Sequence, residues 1–213
     1  MQHPRRGTLR EMRTAYIALG SNLASQAGPP EVTLAAAASK LGSLGRLASR
    51  SSLYSTAPIG FGDQPRFLNA VIALETDLAP AALLEKLLSI EKDFGRNRAD
   101  SIPNGPRTLD LDILLLGDLQ VSEPGLEIPH PRLAERSFVL VPLAEIAPEI
   151  VVASHGKTVA QLLQTLLNNC EGETDAVVRV QSNAWRSGAS RDADDSDDSL
   201  RAAPRAPDAD RRR

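Results

Sequence analysis

Apolar and polar positions alternate with two periods along this chain, and each change of period marks an element. The run "AYIALG" is short and apolar and stops at Gly20, which predicts a strand. "PPEVTLAAAASKLGSLG" opens on prolines and a glutamate, continues through strong helix formers and closes in glycines, as a helix does. "RLASRSSLYST" alternates well enough for a strand, and "FLNAVIALETDL" is apolar and β-branched enough for a buried one. "PAALLEKLLSIEKDFG" spaces its leucines helically, with Pro80 at its start and Gly95 at its end. "TLDLDILLLGD" alternates strictly at first, with Leu109, Leu111 and Ile113 on one face and Asp110 and Asp112 on the other. A hairpin in "LQVSEPGLEIPH" and helical pieces around 138–147 and 158–168 follow.

The order strand, helix, strand, strand, helix, strand predicts an α+β fold. Its core is a ferredoxin-like βαββαβ unit, one antiparallel sheet with two helices on one face, followed by a C-terminal hairpin and helices. The domain is expected over 14–172, after a flexible N-terminal extension at 1–13. Residues 173–213 read as a mostly disordered polar tail. From about Ser182 the chain runs "SNAWRSGASRDADDSDDSLRAAPRAPDADRRR", with almost nothing to bury against the entropy of ordering. Trp185, the single tryptophan, is expected to face solvent there.

Composition narrows the partners. With 42% apolar and 24% charged residues, the 213-residue chain reads as an ordinary globular protein. A formal net charge of −3 supplies no global field for nucleic acid, so any anion site must be built from local arginines. The one cysteine, Cys170, excludes an internal disulfide and a cysteine-only metal cluster. The opening "MQHPRRGTLREMR" has no apolar signal core, and "SFVLVPLAEIAPEIVVAS" is broken by Pro142, Glu145, Pro148 and Glu149. A cytoplasmic monomer acting on small molecules, with no membrane and no nucleic acid, is the expectation.

Candidate chemistry gathers in "RNRADSIPNGPRTLDLDILLLGD". Two residues apart on a strand, Asp110 and Asp112 project their carboxylates to one side. Alone, the pair fits a solvated strand face as well as a site for a hard cation. Arg96 and Arg98 follow a helix end, and Arg107 shortly precedes the strand; guanidinium groups grip phosphate oxygens in a fork. Each arginine alone is an ordinary surface charge. Together with the aspartates they point to a magnesium–nucleotide phosphoryl-transfer site. His130 sits between two prolines in "IPHPR", where a structural histidine and a nucleotide contact are both open. "HGKT" at 155–158 lacks the glycine that a phosphate-binding loop needs at position 151, which holds Val151.

Five blocks in order carry a resemblance: "YIALGSNL", "SSLYSTAPIGFGDQPRFLNAVIALET", "IEKDFGRNR", "NGPRTLDLDILLLGD" and "IPHPRLAERSFVLVPLAEIAPE". They resemble the bacterial 6-hydroxymethyl-7,8-dihydropterin pyrophosphokinases of folate synthesis, from about residue 15 to 151 and more faintly to 170. The resemblance implies transfer of the terminal diphosphate of ATP, the co-substrate, to the pterin hydroxymethyl oxygen, with two Mg²⁺ ions and release of AMP. It places the metal on Asp110 and Asp112. It places catalytic and ATP-binding arginines at Arg96 and Arg107, with Arg98, Arg136, His130 and Glu91 also on the nucleotide. The pterin falls to Asn69 for ring hydrogen bonds and to Phe67 and Phe138 for stacking. Asp110 and the backbone around Thr56, Ala57, Pro58 and Ile59 complete its contacts. The glycine- and proline-containing loops around 60–65 and 96–106 are candidate lids.

Two departures stand out. Ala57 replaces the first of two prolines common after the threonine, and "ADSIPN" lacks the Arg–Trp pair that some members carry before "GPR". Three rivals remain: an ordinary kinase making ADP, an RNA-recognition sheet, and a regulatory domain that binds nucleotide without turnover. The mostly aliphatic strands and negative charge weigh against the RNA sheet.

Overall fold

A computed structural model of the chain describes residues 11–58, 64–98, 102, 104–169 and 177–187. Strand β1 (Arg13–Ser21) starts the sheet, one residue before the expected domain boundary. Helix α1 (Pro30–Leu41) has Pro30 in its first turn, where the missing amide hydrogen costs nothing, and four successive alanines at 35–38. β2 (Arg46–Arg50) and β3 (Leu53–Thr56) follow, then the long β4 (Phe67–Thr76). Helix α2 (Pro80–Asp93) leads to β5 (Asp110–Leu116). β6 (Val121–Glu123) and β7 (Leu126–Ile128) form the expected hairpin. Beyond it come α3 (Ser137–Ile146), a small pair β8 (Val151–Val152) and β9 (Lys157–Thr158), and α4 (Val159–Asn169). β10 (Val178–Val180) and the short α5 (Asn183–Ser187) close the described chain.

The main sheet is antiparallel, in the order β10-β3-β4-β1-β5, with β2 also on β4. β1 and β4 pair over the whole of β1, Arg13 opposite Thr76 to Ser21 opposite Leu68. This is the expected ferredoxin-like core, enlarged at one edge. The single strand read in "RLASRSSLYST" is two, parted at Ser51–Ser52. Ser51 donates its amide to the Val71 carbonyl at 2.9 Å, and its hydroxyl accepts from the Val71 amide at 3.0 Å. A side chain thus completes the ladder where the backbone turns away.

Two helices cover one face of the sheet, as expected, and the C-terminal helices cover the other. Ala15, Ile17, Leu19, Ile72 and Leu74 meet α1 and α2 in one buried cluster. Val71, Leu114 and Leu115 meet α3 and α4 in a second. The register of β1 against β5 shifts at Tyr16/Ile17, so Leu114 and Leu115 both turn to the second face.

The disordered-tail expectation for 173–213 is corrected at 177–187, and the exposed Trp185 with it. Trp185 is 4% exposed and belongs to the first cluster. Its indole N–H donates to the Ser51 carbonyl at 2.8 Å, and the Arg50 guanidinium lies 5.0 Å from its ring. Burying a side chain of this size contributes about 2–3 kcal/mol. Backbone pairing of β10 with β3 needs no apolar sequence at all, which is why composition gave no sign of it. Cys170, the 1–10 extension and residues 188–213 lie outside the described residues. No described helix is long and apolar enough to cross a membrane.

Candidate active site

Sheet register brings the site together. Asn69 on β4 stands opposite Gly20 on β1, and Gly20 stands opposite Asp110 on β5. One step along, Val71, Ala18 and Asp112 make a parallel row. With neighbouring strands ~4.8 Å apart, Asn69 and Asp110 lie roughly 10 Å from each other. Both project from the face that carries α3. Between them is only the glycine: a Cβ at Gly20 would stand 3.3 Å from Asn69 Oδ1 and 3.7 Å from Asp110 Cβ.

Over this floor opens a cavity of about 270 Å³. At one end are Thr56, Ala57, Phe67, Asn69 and Phe138, the first two expected at the pterin site through their backbone and the others through their side chains. Thr56 Oγ1 accepts from Asn69 Nδ2 at 2.9 Å, which turns the amide oxygen of Asn69 towards Gly20 and the cavity floor. At the other end are Arg96, Arg98, Arg107, Asp110, Asp112 and His130, with Arg136 at the N-terminus of α3. Gly20, Asn104 and Arg132 also line the cavity and were not singled out from the sequence. Pro58 is described but is not on the wall, and Ile59 lies outside the described residues.

Local chemistry of the chain sets each arginine. α2 ends with Gly95 at φ +83°, so the Gly95 amide bonds the Lys92 carbonyl at 3.0 Å and the Arg96 amide that of Glu91 at 3.1 Å. This turn needs the left-handed conformation that glycine adopts freely. It folds Arg96 back over Glu91, whose side chain is 2% exposed. Arg96 Nη1 then contacts Glu91, the Leu109 carbonyl at 2.9 Å and the Asp110 carboxylate. Arg98 forks onto both oxygens of Glu91 at 2.8 and 2.9 Å, and that bonding raises its already high pKa. Glu91 is therefore behind the arginines and off the cavity wall, where the resemblance had put it against nucleotide.

Arg107 is fixed through its backbone. The Asn22 side chain, 3% exposed, accepts the Arg107 amide at 2.8 Å and donates to Gln64 Oε1 at 2.9 Å and the Pro65 carbonyl at 3.0 Å. It thus ties the approach to Phe67 to the approach to β5. The Arg107 guanidinium lies 3.2 Å from Asp110 and 4.9 Å from the centre of the Phe67 ring. Arg136 lies 5.6 Å from that of Phe138. Each phenylalanine of the pair so carries an arginine against its ring.

Five arginines line the cavity against two aspartates, although the whole chain is net negative. Burial, with the Asp110 charge beside it, pushes the Asp112 carboxyl above its usual range. Burial pushes His130 down, against the pull of Asp112. Arg132 donates its amide to His130 Nδ1 at 3.1 Å, so the ring proton sits on Nε2, which faces Asp112 Oδ2 at 4.0 Å. Burial likewise lowers Arg136. Two carboxylates on one strand face, set among guanidiniums, fit a hard divalent cation. Among the described residues no third acidic, histidine or cysteine side chain completes a cage around them, which leaves other coordination positions to a ligand.

Comparison with known proteins identifies the chain's relatives. The family model described as 7,8-dihydro-6-hydroxymethylpterin-pyrophosphokinase (HPPK) matches residues 16–148. The chain is 46% identical over 141 residues to the 2-amino-4-hydroxy-6-hydroxymethyldihydropteridine pyrophosphokinase of Pseudomonas aeruginosa, covering 65% of this chain and 83% of that protein. It is 45% identical over 157 residues to that of Methylorubrum extorquens, covering 73% and 94%. A solved structure of wild-type Plasmodium falciparum HPPK-DHPS superposes with a TM-score of 0.61 at 14% identity, over 79% of this chain and 47% of that one. That likeness shows the fold, and the chain spans about half of that solved chain. On the family match and the two bacterial relatives together, the chain belongs to the 7,8-dihydro-6-hydroxymethylpterin-pyrophosphokinase family.

Proposed function

We propose that this chain transfers the diphosphate of ATP to the hydroxymethyl group of 6-hydroxymethyl-7,8-dihydropterin, giving AMP and the pterin diphosphate, in the cavity above Gly20. Family membership makes it a pyrophosphokinase of folate biosynthesis. The observation that carries the assignment of the site is the row Asn69–Gly20–Asp110. It sets a hydrogen-bonding amide and a carboxylate two strands apart across an unobstructed floor, a span that a bicyclic heterocycle with one substituent bridges.

Phe67 and Phe138 supply aromatic faces for a flat ring, and Asn69, fixed by Thr56, bonds its polar edge. That aims the hydroxymethyl arm at Asp110 and Asp112. Those carboxylates would hold two magnesium ions, which would supply charge neutralisation at the phosphates. Arg96 and Arg107 contact Asp110, which supports their assignment to the transferred group. Arg98, Arg136 and the Nε2 proton of His130 extend donors along the remaining phosphates. Donors placed in advance stabilise charge that grows on the leaving AMP without reorganising during the step.

The test is incubation with ATP, magnesium and 6-hydroxymethyl-7,8-dihydropterin, with nucleotides separated. AMP should accumulate in step with the pterin diphosphate, and only when all three are present. ADP as the main product would overturn the reading.

A further inference from the structure

Residues 177–187 lie beyond the family match at 16–148, yet they are built onto the strand that carries one wall of the cavity. β3 has four residues, and three of them pair with β4. Strands this short at a sheet edge open readily, since little apolar surface and few ladder bonds hold them. Here β10 takes the free edge, with Val178 opposite Ser55, Arg179 opposite Tyr54 and Val180 opposite Leu53. The next residue is Thr56, whose hydroxyl orients Asn69.

The other end of β3 is held as well. Ser51 sits at the break before it, bonded to Val71, and receives the indole N–H of Trp185 at 2.8 Å. α5, which carries Trp185, packs on α1. Arg50 stacks on the indole and donates to the Arg186 carbonyl at 2.9 Å. Arg96, Arg98, Arg107 and the two aspartates hang instead on α2 and β5, on the far side of β1, while Arg136 stands on α3.

We propose that β10 and Trp185 form a clasp that positions the pterin end of the active site, acting through Ser51 and β3 on Thr56, Ala57 and the Asn69 amide. Trp185 touches no substrate and is a positioning residue. Pterin affinity in this protein then depends on a segment outside the family match, while nucleotide affinity does not. The inference rests on the reading of the cavity given above.

Two full-length variants test it. Trp185→Ala removes the anchor; Trp185→Phe keeps an aromatic filler and removes only the N–H to Ser51. Steady-state kinetics should give a pterin KM about tenfold higher for Trp185→Ala and about threefold higher for Trp185→Phe, with the ATP KM within twofold in both. Amide hydrogen exchange over 53–57 should quicken in the same order, while β1 and β5 stay as protected as in the parent. If the two KM values move together, or exchange over 53–57 is unchanged, the clasp does not position the pterin end. A parent chain that forms no AMP sinks the functional reading instead, and exchange then decides on the clasp by itself.

Discussion

Glu91 grips Arg98 with both carboxylate oxygens, Nε to Oε2 at 2.8 Å and Nη2 to Oε1 at 2.9 Å, and the same Oε1 takes the Leu111 amide at 2.8 Å. One buried carboxylate so fixes an arginine and the strand that carries the aspartates. Glu91→Ala strands the Leu111 amide and leaves Arg96 short of an anion. Removing one partner of such a buried set costs about 3 kcal/mol. Little of that comes from Arg98, which is half in water. The expected result is a lower melting temperature and an ATP KM raised at least tenfold, with the pterin KM nearly unchanged. Equal rises in both KM values would place Glu91 in the general scaffold only.

Asp112 should cost stability while serving chemistry. Its pKa in the fold is raised by burial and by Asp110, so its charged form is disfavoured relative to the unfolded chain. Its stability contribution therefore declines as pH climbs from the unfolded value of about 3.9 through the raised folded one. At pH 7, with chelator present, Asp112→Asn should melt above the parent, and below about pH 4 the two should melt alike. Turnover of the variant should fall by orders of magnitude. A variant that melts lower at pH 7 would show that Asp112 is net stabilising.

Gly20→Ala tests the cavity floor. The added methyl would press on the Asn69 amide oxygen at 3.3 Å, the group assigned to the pterin edge. The pterin KM should rise at least fivefold, with the ATP KM and the melting temperature almost unmoved. Unchanged pterin kinetics would mean that the ring sits elsewhere.

Phe138→Ala removes one aromatic face. Stacking of this kind is worth about 0.5–1.5 kcal/mol beyond buried area, which corresponds to a two- to tenfold rise in pterin KM. Because Arg136 rests on the same ring, the ATP KM should also rise, by a smaller factor. A larger effect on ATP would make Phe138 a support for Arg136 first.

Much of this was legible from the sequence because it depends on short periods. Alternation in "TLDLDI" placed Asp110 and Asp112 on one face, and Pro80 and Gly95 bounded α2. The remainder depends on contacts between distant segments, which no local window contains. Nothing near Gly20 announces that Asn69 and Asp110 flank it; only the register of three strands does. Glu91 entered as a nucleotide contact through the resemblance alone, and only its burial and bonding assign it to the arginines. β10 failed to register because an added edge strand is held by backbone bonds, to which composition is blind. A break at two serines in an otherwise alternating run hid the division of β2 from β3.

The division of the sheet into two faces reaches into how the protein tolerates change. Along β1, Ala15, Ile17 and Leu19 answer to α1 and α2, while Ala18 and Gly20 form the floor of the cavity. Neighbours in the chain thus serve different masters. Substitutions at Ala15, Ile17 and Leu19 should alter how long a molecule survives in the cell, and those at Ala18 and Gly20 how well it works while it lasts. Loss of durability can be repaired at many sites in a core, whereas loss at the floor has few places for repair. A population of such sequences should drift at the positions backed by α1 and α2 and stand almost still at Ala18 and Gly20, residue by alternate residue.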